Sequence, residues 1–89
     1  MAIVWERSAQ EKFKLMIAKI PVFLRDVAEK KVSQKAESLA GQEDRSEVIE
    51  KDLVDAFFSE TPFGFHGPMK NDMESIGLDY TKYGHPRIK

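Results

Sequence analysis

Eighty-nine residues allow one domain, and this chain carries 33% charged and 42% hydrophobic residues with a formal net charge of −1. The nearly cancelling charges speak against a dedicated nucleic-acid or membrane-surface protein, which would show a clear basic excess. The absence of cysteine excludes disulfides, cysteine nucleophiles and cysteine-held zinc or iron–sulfur clusters within the chain.

A chain this short buries only about 60–65% of its unfolded surface, so the core is thin and a large catalytic cleft would need a partner to complete it. The first residues, Met1 to Arg7, lack a basic stretch followed by an apolar one, so no signal peptide is expected. No apolar run approaches the roughly 18 residues that span a bilayer. A disulfide-free domain of this kind suits a reducing compartment, and a cytoplasmic protein is expected.

Residues 1 to 7 are a short lead containing the single tryptophan, Trp5, whose favoured reading is a core plug rather than a ligand platform. Ser8 and Glu11 have the spacing of a capping box. Ala9, Phe13, Met16, Ile17 and Ile20 then form one apolar stripe, predicting a first helix that ends near Ile20. Pro21 stops it, because proline lacks an N–H and pushes the preceding residue out of the helical region. Pro21 itself suits the first turn of a second helix. Val22, Phe23 and Leu24 put a dense apolar corner at the join.

Leu24, Ala28, Val32, Ala36 and Leu39 continue as the stripe of a long central helix over 22–40, with Gly41 as its left-handed stop. A polar connector follows, and Ile49, Leu53, Ala56 and Phe57 form the stripe of a third helix. Its start has two readings: Ser46 caps a helix from Glu47, or Val48 and Ile49 are extended and the helix starts near Lys51. It ends before Thr61-Pro62. Residues 61 to 68, rich in Pro, Gly and aromatics, predict a loop. Met69, Met73 and Ile76, stopped by Gly77, predict a short fourth helix. Leu78 to Lys89 reads as a tail without regular structure over most of its length. The expected fold is therefore all-α: a small three- to four-helix domain with a long central helix and a partly irregular C-terminal tail. Residues 1–60 form its helical body, and 61–89 complete the same domain.

No phosphate-binding glycine loop, paired metal-ligand motif, nucleophile elbow or cofactor fingerprint occurs, so neither catalytic residues nor a metal or cofactor are expected. His66 and His85 sit in loops, and isolated histidines there read first as turn or surface groups. Phe63, Phe65, Met69 and Met73 have two readings. They line a pocket for a flat apolar ligand, or they cover an open side of the helical core, and the cover is favoured. Lys12, Lys14 and Lys19, and Lys30, Lys31 and Lys35, are interleaved with acids and read as solvated faces. Arg25, placed directly after the apolar corner, suits a structural role on the carbonyls ending helix one or on an acid of helix three.

Trp5, Ala9, Ile20-Pro21-x-Phe23-Leu24-Arg25, Ala36, Ala40, Ile49, Leu53 and Ala56 together form a pattern over residues 4–58. It resembles the C-terminal domain of the B subunit of light-independent (dark-operative) protochlorophyllide reductase, of which small stand-alone versions exist. The Pro-x-Phe-Leu-Arg corner is the most specific part, and Glu50 departs from the threonine usual in that family. The resemblance implies docking to a protein partner or a tetrapyrrole-like ligand. It does not imply reduction by this chain alone, since the reductase's iron–sulfur body is missing. Arg25, Phe63, Phe65, His66, Met69 and Met73 are the expected contact residues.

The long helix followed by Arg45-Ser46-x-Val48 and Asp52-Leu53-x-x-Ala56 is also similar to the histone-fold succession of central helix, β-like segment and final helix. That similarity leaves a histone-like homodimer binding nucleic acid as the alternative reading. Glu43, Asp44 and Glu47 beside Arg45 disfavour the phosphate neutralisation that nucleic-acid binding requires.

Overall fold

The computed structural model describes residues 3–87. Met1, Ala2, Ile88 and Lys89, the extreme ends of the lead and tail, lie outside the described residues. The chain runs β1 (Val4–Trp5), α1 (Arg7–Ala18), α2 (Val22–Gln42), β2 (Glu47–Val48), α3 (Glu50–Glu60) and α4 (His66–Ser75), with 3₁₀ turns at Phe63–Phe65 and Tyr80–Tyr83. It is a small all-α domain with one short parallel β-pair.

That pair decides how α1 begins. Val4 stands beside Glu47 and Trp5 beside Val48. The Glu6 N–H donates to the Val48 carbonyl at 2.9 Å, which holds Glu6 extended. Glu6 is therefore the N-cap, its carboxylate accepting from the Ala9 N–H at 3.0 Å. The expected Ser8–Glu11 capping box does not form. Ser8 lies two residues past the N-cap and turns its hydroxyl to the Glu50 carboxylate. Glu50, the residue that departs from the reductase pattern, is thus bonded to α1.

The connection between α1 and α2 is longer than expected, taking in residues 19–21. The first helix ends at Ala18, and Pro21 (φ −52°, ψ 140°) is the N-cap of α2 rather than a residue of its first turn. Arg25 takes the structural role available to it. Its Nε donates to the Ile20 carbonyl at 2.8 Å and an Nη to the Ala18 carbonyl at 3.0 Å. The guanidinium fork thus satisfies acceptors that the end of α1 leaves without helical partners.

Helix α2 runs past Gly41, which is not its left-handed stop. Asp44 takes φ +59° instead. The Asp44 N–H reaches the Gly41 carbonyl and the Arg45 N–H the Ala40 carbonyl, both at 3.0 Å, a Schellman pair. Aspartate tolerates the left-handed region well enough to take a place that glycine usually fills. Of the two readings of the next segment, the extended one holds: Val48 is in β2 and α3 starts at Glu50. Ile49, the N-cap, has no side-chain acceptor, and the Asp52 carboxylate takes its N–H at 2.9 Å.

The core is built from Ala9, Met16 and Ile17 of α1, Val32, Ala36 and Ala40 of α2, Leu53, Val54, Ala56 and Phe57 of α3, and Val48. Helix α2 packs most extensively on α3, where the small side chains of Ala36 and Ala40 allow close approach. The apolar corner is not core: Val22 is 74% and Phe23 82% exposed. Trp5 is half-buried, its ring centroid 5.0 Å from that of Phe13 with the planes tilted by 31°, and it donates its indole N–H to Glu37 at 3.0 Å.

The segment after α3 closes the remaining side. Helix α4 starts three residues earlier than Met69, continuing from the 3₁₀ turn, and ends where Gly77 (φ +77°) completes a second Schellman pair. Met69, Met73, Leu78 and Tyr80 join the core. The tail is short of regular structure yet packed, with Tyr80–Tyr83 a 3₁₀ turn closed by Gly84. The radius of gyration of 12.3 Å matches the roughly 12 Å of a compact chain this long.

Candidate functional site

The C-terminal end of α3, the 63–65 turn, the first half of α4 and the tail enclose a cleft of about 750 Å³. Helix α3 supplies Asp55, Phe58 and Ser59, and α4 supplies His66 and Lys70. Phe63 comes from the turn, and His85 and Pro86 from the tail.

Phe58 is its centre. Phe57 and Phe58 are adjacent on α3, about 100° apart around the helix, and so meet different surroundings. Phe57 is in the core, and Phe58 is half-buried at the cleft. The ring of His85 stacks flat on Phe58 at 3.9 Å with 2° between planes. The ring of His66 meets it edge-on at 5.1 Å and 84°. Tyr80 lies 5.9 Å away, and Lys70 Nζ hangs 5.9 Å from the Phe58 centroid and 5.8 Å from that of Tyr80. Both distances fall in the cation–π range.

The two imidazoles are anchored. His66 Nε2 is 2.9 Å from the Thr61 carbonyl, which only accepts, so Nε2 carries the proton. His85 Nε2 donates to Asp55 at 2.7 Å, and Lys51 donates to the other oxygen of Asp55 at 3.0 Å. That bond to Asp55, more than the charge of Glu43, raises the Lys51 ammonium above its ordinary range. The tail is held further by the Tyr80 hydroxyl and Arg87, both donating to Glu74, with Arg87 at 2.9 Å. Burial first, then the Glu74 carboxylate, pushes the Tyr80 phenol up, so it remains a neutral donor.

Ser59, the hydroxyl of the cleft, donates to Glu60 at 3.3 Å and not to an imidazole. The nucleophile–base contact of covalent catalysis is therefore not made by that pair. Among the described residues no group of three or more His, Cys, Asp or Glu side chains is placed to hold a metal ion. No described helix is long and apolar enough to cross a membrane.

Of the six expected contact residues, the cleft gathers Phe63 and His66, with ring centroids 5.4 Å apart. Phe65 is 63% exposed on the same turn but does not line the cleft. Met69 and Met73 are 7% and 0% exposed under α4, so the four-residue spacing marks a core face and not a contact surface. Arg25 is at the α1–α2 corner, occupied by carbonyls. Asp55, Phe58, Lys70 and His85 were missed as members of a site. Nothing local in the sequence pairs Asp55 with a histidine 30 residues away.

No curated protein and no solved structure matches this chain. Residues 1–86 match a family described as "Protein of unknown function (DUF2621)", and the chain belongs to that family.

Proposed function

We propose that this chain is a non-enzymatic docking module that seats a flat, apolar, carboxylate-bearing ligand in the cleft around Phe58. The observation that carries this reading is Phe63, 85% exposed at the mouth of a cleft whose floor is the Phe58–His85 stack. An exposed phenylalanine facing a stacked aromatic pair supports insertion of a planar ring system, and each aromatic contact adds about 0.5–1.5 kcal/mol beyond area burial. The Lys70 ammonium, 6% exposed beside the Phe58 and Tyr80 rings, supplies positive charge at the cleft wall for a carboxylate. A tetrapyrrole-like molecule is the member of this ligand class that the resemblance to the reductase appendage favours. The nucleic-acid reading gains no support, because Arg45 of the basic connector is committed to Asp52 and Glu43.

The test is an absorbance titration of the full chain against a water-soluble carboxylated porphyrin. The expected result is saturable micromolar binding, weakened about five- to tenfold in Phe63→Ala, a change at an exposed side chain that leaves the fold intact. Absence of saturation at several hundred micromolar, or binding indifferent to Phe63→Ala, would remove the cleft as the ligand seat.

A further inference from the structure

The outer face of α2 is apolar over its first turns and is exposed among the described residues. Phe23 is 82%, Val27 56% and Leu24 46% exposed, and they lie on one side of the helix at three- and four-residue steps. Val22, 74% exposed, extends the patch to the helix end. Most apolar residues among those described are buried or half-buried, so this contiguous exposed cluster stands out as a candidate interaction surface. It is also rigid, because the two Arg25 hydrogen bonds lock the corner from which it projects.

We infer that the partner is a second copy of this chain, paired antiparallel along α2 about a twofold axis passing near Ala28. The argument is charge complementarity along one flank. Asp26 and Lys30 lie one turn apart on the same edge of the patch, both exposed. A twofold axis normal to two antiparallel helices keeps this edge on the same side in both copies. Asp26 of one copy then stands against Lys30 of the other, and the pair occurs twice. Val27 meets its symmetry mate beside the axis, and Phe23 packs on the aliphatic stem of Lys30 and on Gln34. Such exposed pairs set register more than affinity. A net charge of −1 leaves two copies with little mutual repulsion.

The patch offers on the order of a few hundred Å² of apolar surface. That is less than the roughly 800 Å² per partner of a standard interface, so the dimer is reversible and micromolar rather than obligate. The cleft draws no residue from α1 or α2, and both clefts stay open in the dimer. The inference is therefore independent of the ligand reading.

Sedimentation velocity of the full chain, over a concentration range from a few to several hundred micromolar, tests it. The expected mass rises from 10.2 kDa towards twice that value with concentration. Phe23→Glu weakens self-association at least tenfold with unchanged far-ultraviolet circular dichroism. Asp26→Lys weakens it as well, and adding Lys30→Asp restores it. A chain that stays monomeric throughout would overturn the inference and assign the patch to a different protein. So would self-association indifferent to Phe23→Glu. Failure of the double charge reversal to restore pairing would overturn the antiparallel register.

Discussion

Asp52 is the residue on which the junction of α2, β2 and α3 depends. It is 1% exposed, yet its two carboxylate oxygens take the Arg45 fork at 2.5 and 2.7 Å and the Ile49 N–H at 2.9 Å. Its hydrogen bonds, followed by the one to Glu43, push the already basic Arg45 guanidinium further up. The partners are unequal, because the Arg45 side chain is 26% exposed and can reach water, whereas Asp52 cannot. Arg45→Met therefore strands a buried carboxylate with one backbone donor, and its expected cost is about 3–5 kcal/mol. Asp52→Asn keeps an acceptor for Ile49 and frees Arg45 to solvent, for an expected cost of about 1–2 kcal/mol. Urea unfolding of the two variants checks the order. Equal costs, or Asp52→Asn costing more, would show that the burial asymmetry does not govern the pair.

At the scale of elements, the two helix ends show why one glycine was read correctly and the other was not. A glycine after an apolar stripe signals a left-handed stop wherever the next residues can complete the pair of bonds. Gly77 does so, with Leu78 entering the core behind it. Gly41 is passed over because Asp44 makes the same turn three residues later, delivering Arg45 to Asp52 and the chain to β2. Gly77→Ala must hold a β-carbon at φ +77° and is expected to cost about 1 kcal/mol. Gly41→Ala adds a methyl in open space on a helix and is expected to stabilise by about 0.5 kcal/mol. Opposite signs in thermal unfolding support these assignments, and the same sign for both would contradict them. The apolar stripes of α1, α2 and α3 were legible because burial imposes a helical period. The Ser8 cap was misread because a β-pair between residues 42–43 positions apart sets the start of α1, and capping rules see only neighbours.

The whole molecule folds its tail back on α3, and this single event makes the cleft. Phe63 and His66 were legible as candidates because they share one short loop. His85 was visible only as a loop histidine, since its bond to Asp55 and its stack on Phe58 require that return path. Met69 and Met73 take the favoured of their two readings: a helical stripe reads alike whether it faces a ligand or a core, and here it joins the core. The family match over residues 1–86 spans α3, α4 and this tail, and so every element that lines the cleft.

The most direct test of the cleft as a docking site is a chemical-shift map of the isotope-labelled full chain titrated with the carboxylated porphyrin. A planar macrocycle seated on Phe58 shifts nearby amides strongly through its ring current. The expected shifts concentrate on Phe58, Phe63, Gly64, Lys70 and His85, while Trp5, Glu29 and Phe23 stay in place. Shifts centred on Trp5 and Phe13, or on the Phe23–Val27 face of α2, would contradict the account and move the ligand to another surface. A spectrum unchanged at high ligand excess would contradict it altogether.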